Sequence, residues 1–453
     1  MASQTTYDCI IIGGGLAGLS AGVRLSLGGK KILLLEQRHR LGGRTYSYRD
    51  DTSGDLIDNG QHLLMGCYTE TRQYQRSIGT EHLAELQPTL GIEFLHPTLG
   101  RTSLHASALP APLHALSGLL GLTSLSFTDR LNLIRVGAEL LLPESIQRNR
   151  LAGITVSQWL DRLGQGELSK KYLWDIIAIG SLNDDPRVVS AFLFYRVLRT
   201  AFLGKRENAS LLIPRTGLTE LLVEPAEQFI RKHGGEIRTD ASVEMLQEST
   251  ADRIEVQTAA GETYSAKTVI AAVPWYAGKE IFRGILPANE PEMTSSPILS
   301  IYIWLDRVVT DLPFAALLET RAQWMFNRTA LTGQKSPGQF AQCLCFVISG
   351  ASEFVEKEKD ELVAIAMEDL RSVLPEARTA FVKHSVVIKE KRATFSPTPA
   401  VESKRPSTTT SYPDLFLAGD WTDTGFPSTI EGAVLSGHRA ARAAMERLSK
   451  SVR

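Results

Sequence analysis

At 453 residues, 43% of them hydrophobic, the chain is long enough for two or more domains with a large buried core. Its 49 Lys and Arg against 50 Asp and Glu leave a net charge of −1, which excludes a global basic field for nucleic acid. The 4 cysteines show no Cys-x-x-Cys or partnered His spacing, which argues against a metal site and suits a reducing compartment.

The N-terminus, MASQTTYDCI, lacks a charged n-region and cleavage site and runs straight into a strand, so a cytoplasmic protein is expected. Residues 7–18, YDCIIIGGGLAG, read as a buried strand running into glycines. Gly13, Gly15 and Gly18 hold the G-x-G-x-x-G spacing, where a tight turn, close approach to a pyrophosphate and close helix packing each require a missing side chain. A second apolar run, 31–35, ends in Glu36, placed where a carboxylate accepts hydrogen bonds from an adenosine ribose. Next comes LGGRT, 41–45. Gly43 and Arg44 would let backbone and a forked guanidinium approach a diphosphate together; a surface turn with a solvated Arg is the alternative.

Residues 56–72, LIDNGQHLLMGCYTETR, gather Asp58, Gly60 and His62 in one turn. Asp58 reads as a turn former or a chemical group, and His62 as a core histidine or a proton donor. An insert over 70–208 is Leu-rich and helical in pattern. Within it, 109–127, LPAPLHALSGLLGLTSLSF, comes nearest to a membrane span, but Pro, His and Ser interrupt it; it reads as a core helix or as an apolar surface touching lipid. Residues 212–246 read as a helix followed by two short strands, and 254–274 as further strands ended by Pro274. A second insert, 275–395, carries strand-like runs at 300–305 and 342–348.

The chain closes with LAGDWTDTGFPSTIEGAVLSG, 417–437, a strand, a loop and a helix restarting after Pro427. Ser428 and Glu431 have the spacing of a capping box, which would leave the N–H groups of Thr429 and Ile430 facing something electron-rich. In the loop, Asp423 reads as a loop cap or an acid.

Taken together, the strand, G-x-G-x-x-G, Glu36 and GGRT resemble the FAD-binding start of the flavoprotein superfamily of amine oxidases and polyprenoid desaturases. The resemblance implies that Gly419 and Asp420 hold the ribityl-diphosphate portion, that the Thr429–Ile430 turn faces the isoalloxazine ring, and that Val243 lies against adenine. It implies an α/β fold in which a Rossmann-like FAD-binding domain (1–70, 209–274 and 396–453) is interleaved with an α+β substrate domain (71–208 and 275–395). Thr429 stands where amine oxidases carry an aromatic residue of the amine cage, which disfavours an amine substrate.

The DNGQH run and AGDWTDTGFPSTIEGAV resemble more closely the squalene-associated FAD-dependent enzymes, the hydroxysqualene dehydroxylases of hopanoid synthesis. That resemblance implies reductive removal of a hydroxyl to give squalene, with His62, Asp58 and Asp423 as candidate catalytic groups and Gly60 beside the cofactor. It also implies a lipid substrate, a separate electron donor for the flavin, association with squalene-pathway enzymes and peripheral contact with the inner membrane face through 109–127. The C-terminal loop offers no Cys or His for covalent attachment, so FAD is expected to be non-covalent. A carotenoid desaturase and a non-catalytic prenyl-lipid carrier of the same fold are the alternatives.

Overall fold

The computed structural model describes residues 6–249, 253–277, 292–333 and 340–450. The first expected strand forms as β1 (Thr6–Ile12), feeds helix α1 (Leu16–Leu27) and returns as β2 (Ile32–Leu35). β1 and β2 pair in parallel, from Cys9 against Ile32 to Ile12 against Leu35. Both strands are covered on both faces, which is why their sequences run apolar rather than alternate. Strand Glu236–Arg238 extends this sheet beside β2, and Thr263–Ala271 extends it beside β1, again in parallel. The second half of Thr263–Ala271 pairs with Leu415–Leu417; its first half pairs with Arg253–Thr258, which is antiparallel to Val243–Ser249. Ile12, Ala271 and Leu417 are in register, so the glycines that follow β1 and Leu415–Leu417 emerge at one edge of the sheet.

The C-terminal helix, Ile430–Lys450, buries Ile430, Val434, Gly437, Ala440, Ala441, Ala444 and Leu448, the face its periodicity predicts. It lies so close to α1 that Ser20 Oγ donates to Val434 O at 3.2 Å and a Cβ on Gly437 would strike Ala17 O.

A second seven-stranded sheet runs in the order Val382–Phe395, Ser295–Leu305, Gln342–Ser349, Trp324–Asn327, Phe314–Leu317, Gly91–His96, Gly100–His105. Its faces divide by strict alternation. Tyr302 and Trp304 join the core shared with Trp159 and Phe194 of the helical insert, whereas Ile301 and Ile303 join Leu362, Ala366 and Leu370 of helix Lys359–Val373. The molecule is therefore mixed α/β, with sheets built from stretches far apart in sequence.

Two expectations differ: the first insert, helical in pattern, also carries strands Ala84–Leu86, Gly91–His96 and Gly100–His105, and the helix read from 212 starts late. Leu211–Pro214 is a strand, paired on one side with Leu64–Met65 and on the other with Ala84–Leu86, and the helix begins only after it, as a π turn Thr219–Val223 leading into Glu224–Lys232. All four strand residues are buried between those neighbours, so tertiary pairing overrides the local helical pattern.

Candidate active site

Between the two sheets runs a cavity of about 740 Å³. Its first end is built at the edge where β1 stops. Gly13 takes φ +105, and a Cβ there would lie 2.5 Å from Ala272 O. Gly18 packs so tightly against Gly13 O that no Cβ fits, so it serves helix packing and does not line the cavity. At Gly15 a Cβ would meet no atom within 4 Å, and no side chain caps α1, so the backbone lies open to the cavity at a helix N-terminus. Glu36 is buried beside it, accepting from Gly14 N at 2.7 Å and Arg38 N at 2.9 Å. Val243, Gly43 and Gly419 line the same end.

Arg44 and Asp420 close this part of the wall. Arg44 Nη2 donates to Asp420 Oδ1 at 2.6 Å and Nη1 to Ala393 O at 2.7 Å; Asp420 Oδ2 accepts from Ser428 Oγ. Arg44 is thus no solvated turn residue. Burial raises the Asp420 carboxyl, but Arg44 and Ser428 outweigh burial and hold it below its usual value. The loop behind Asp420 is fixed by Arg405, a residue the sequence reading missed. Its guanidinium is wholly buried and donates to the carbonyls of Trp421, Asp420, Thr422 and Phe426 while pairing with Glu402 at 3.1 Å. A lone Arg in SKRPST gave no motif signal.

The middle of the cavity is lined by Gly60, Gln61, His62, Tyr68, Thr429 and Ile430. The expected capping box does not form. Thr429 is the cap, its Oγ1 accepting from Gly432 N at 3.1 Å, while Glu431 reaches across to Glu70 N (3.0 Å), Thr71 N (2.8 Å) and Thr71 Oγ1 (2.7 Å), so that it caps helix Thr69–Ile78 instead. The consequence expected of the box survives: the N–H groups of Thr429 and Ile430 have no acceptor among the described residues. His62 Nδ1 lies 2.6 Å from Gly60 O, so the proton sits on Nδ1 and Nε2 is unprotonated. Burial pushes the His62 pKa down, and Gly60 O and Asp58 offset this only in part. Tyr68, also missed as a site residue, packs edge-on to Phe426 at 6.4 Å, and burial raises its phenol so that it stays protonated.

Two candidate catalytic groups lie elsewhere. Asp58 is sealed behind the turn, accepting from Ser47 Oγ (2.7 Å) and Leu218 N (2.9 Å) and facing Arg328 at 3.2 Å; it is an anchor and does not reach the cavity. Asp423 is half exposed, 3.9 Å from Arg196 on the outer side of its loop, where it too is remote from the cavity. The far end of the cavity is apolar, with Ile92, Phe94, Leu116, Ile177, Trp324 and Val347 among its walls. Cys9, Cys67, Cys343 and Cys345 are buried and free and none lines it, and the described residues contain no cluster of three metal-ligating side chains.

The model of flavin-containing amine oxidoreductases matches residues 16–445. The chain belongs to that family. The flavin oxidoreductase is 28% identical to hydroxysqualene dehydroxylase of Sinorhizobium fredii over 96% of its own length and 97% of that protein's, and 28% identical to the enzyme of the same name from Rhodopseudomonas palustris over 95% and 96%. It is 23% identical to 15-cis-phytoene desaturase of Solanum lycopersicum over 97% of this chain and 78% of that protein. Its fold matches cyclohexylamine oxidase of Brevibacterium oxydans with a TM-score of 0.71 at 18% identity, covering 98% and 99% of the two chains. FAD is the cofactor of the flavin oxidoreductase. The open backbone at Gly15, the uncapped start of α1 and the bare N–H groups at Thr429 and Ile430 are the features such a dinucleotide requires.

Proposed function

We propose that this flavin oxidoreductase removes the hydroxyl of hydroxysqualene reductively to give squalene. The single observation that carries the reading is the continuity of one cavity, polar at its dinucleotide end and apolar at the other, in a chain whose full-length relatives include hydroxysqualene dehydroxylases. In this reading 1–70, 209–274 and 396–453 form the FAD-binding domain and 71–208 with 275–395 the substrate domain. Glu36 receives the ribose, Gly13, Gly15, Gly43 and Arg44 the diphosphate, Val243 the adenine, and Gly419 with Asp420 the ribityl portion. Gly60, Thr429 and Ile430 stand at the ring.

The reaction breaks one C–O bond and forms one C–H bond: the oxygen leaves as water after taking a proton, and the carbon receives a hydride. FAD, when bound and reduced by a separate electron donor, supplies that hydride. The chain's own residues do the rest. The apolar walls exclude water from the allylic carbon, and the Thr429 and Ile430 N–H groups, with the helix dipole behind them, favour negative charge in front of them. His62 supplies the proton through Nε2 after binding one from solvent, and Tyr68 donates a hydrogen bond to the departing oxygen. Localisation in this reading is cytoplasmic; no helix among the described residues is long and apolar enough to cross a membrane.

Anaerobic incubation of the photoreduced holoprotein with hydroxysqualene, followed by mass spectrometry of the extract, tests this. Squalene is expected in amounts matching the flavin reoxidised. A second reading, a desaturase passing hydride from substrate to oxidised flavin, is favoured by the phytoene desaturase relatives. Oxidised protein that desaturates phytoene, while reduced protein leaves hydroxysqualene intact, would replace the first reading by the second.

A further inference from the structure

Helix Phe127–Leu140 has two apolar faces. Leu133, Val136 and Leu140 are buried, but Phe127 (66% exposed), Leu131 (44%), Ile134 (42%) and Leu141 (64%), which follows the helix as its C-cap, face outward. With Ala138 they recur at steps of four and three residues, so all five fall within an arc of about 80° on the helix surface. Leu109 and Leu113, just before and at the start of helix Leu113–Leu120, are half exposed as well. Residues 109–128 contain no Asp, Glu, Lys or Arg, and the charged residues of the helix, Asp129, Arg130, Arg135 and Glu139, fall outside the arc of the stripe. Arg130 and Arg135 lie at its two margins. Leu113, Ile134, Ala138 and Leu141 also line the cavity, so the ridge rims the cavity's apolar end.

We infer that the helix Phe127–Leu140 stripe is a bilayer-docking ridge, laid in the plane of a lipid surface so that the cavity's apolar mouth opens directly into the acyl region. This rests on the reading of the apolar arm as a lipid site and deepens it by assigning the route by which the lipid arrives. A lipid surface fits better than a protein partner: the stripe is continuous with the wall of an apolar cavity, and a molecule leaving the bilayer through this mouth never crosses water. Arg135, exposed at one margin, suits the headgroup level, while Arg130 at the other is tied back to Leu120 O at 2.7 Å. Of the segment 109–127, where the sequence places lipid contact, Leu109, Leu113 and Phe127 are exposed, whereas Leu119 and Leu120 are partly buried and Leu119 packs on the core. The exposed surface continues along the next helix through Leu131, Ile134 and Leu141.

Flotation of the holoprotein with vesicles of phosphatidylcholine and phosphatidylglycerol tests the ridge. Phe127→Ser/Leu131→Gln alters two exposed side chains that do not line the cavity, so flavin absorbance and turnover on detergent-dispersed hydroxysqualene should be unchanged. Vesicle binding should fall about tenfold or more, as expected for withdrawing two large apolar groups from an interface. Turnover on vesicle-embedded substrate should fall with it. Wild-type protein that stays with the soluble fraction, or a double variant that floats as well as wild type, overturns the inference. So does a dimer in sedimentation that the double variant converts to monomer without any change in vesicle binding. Loss of the dehydroxylase reading would show separately, as absence of product from the detergent-dispersed substrate.

Discussion

Arg44 and Asp420, 376 residues apart in the chain, meet in a 2.6 Å ion pair that joins the first glycine-rich turn to the C-terminal loop. Each charge depends on the other, since burial opposes ionisation of both and their mutual attraction restores it. Asp420→Ala would leave Arg44, in the cavity wall, without its counter-charge and free Ser428 Oγ. We expect FAD affinity in a fluorescence titration of the apoprotein to fall by about 10- to 100-fold, the equivalent of ~1.4–3 kcal/mol. Arg44→Lys should also weaken binding, because an ammonium cannot bridge Asp420 and Ala393 O with the same fork. Unchanged affinity in Asp420→Ala would remove the pair from the cofactor's support.

Acid should weaken the fold through the same carboxylate. Asp420 has a folded-state pKa below its unfolded value, so its contribution is present above the unfolded pKa of about 3.9 and is lost as pH falls through the lower folded value. Glu70 acts in the same direction, because a hydrogen bond from His438, at 2.6 Å, holds its carboxyl down. The melting temperature should therefore pass through an acid limb below about pH 4.5 rather than near neutrality. Glu70→Gln should shrink that limb. A limb of undiminished size in the variant would show that Glu70 does not contribute to it.

The parts of the site that lie on continuous sequence were legible, and the parts that depend on distant chain were not. Gly13, Gly15 and Glu36 sit on one strand, turn and strand, so spacing alone places them at one cavity end. The Ser428–Glu431 spacing misled because Glu431 has a better use 361 residues away, at Glu70 N, which no local rule can see. Asp58 and His62 share a short turn, yet the turn aims them apart: His62 toward the cavity and Asp58 toward Arg328. Arg405 was invisible because, apart from Glu402, its main partners are carbonyls of a loop 15 to 21 residues further along, which carry no side-chain pattern.

Arg328 and Asp58 form a buried support for the cavity-lining turn. Arg328 Nη1 donates to Gln61 Oε1 at 2.5 Å and Nη2 to Leu56 O at 3.0 Å, while Tyr302 OH, from the second sheet, donates to Asp58 O at 2.9 Å. Truncating one member of a buried pair leaves the other charge uncompensated, so Arg328→Met should cost about 3–5 kcal/mol in urea unfolding. Asp58→Asn in the same background should cost much less than it does alone, because the charge it balances is gone. Strictly additive losses would show that the two residues act independently.

The direction of the His62 shift sets the last expectation. Its Nδ1 proton is held by Gly60 O, so only Nε2 can carry a proton toward substrate, and burial lowers the pKa at which it does so. The acid form is then a minority at neutral pH and grows as pH falls below the ordinary histidine value of about 6.5. Turnover of the reduced enzyme should rise toward acid pH and level off, with flavin still bound because the Asp420 carboxylate remains ionised there. His62→Ala should lose about 100-fold at the plateau and with it the slope of the profile. Tyr68→Phe should behave differently. Burial keeps that phenol protonated across the whole range, so its loss should lower turnover by a constant factor and leave the slope intact. A His62→Ala profile that keeps both its height and its slope would pass the proton-donor role from His62 to another group. A Tyr68→Phe profile that loses its slope would make the two residues one coupled donor.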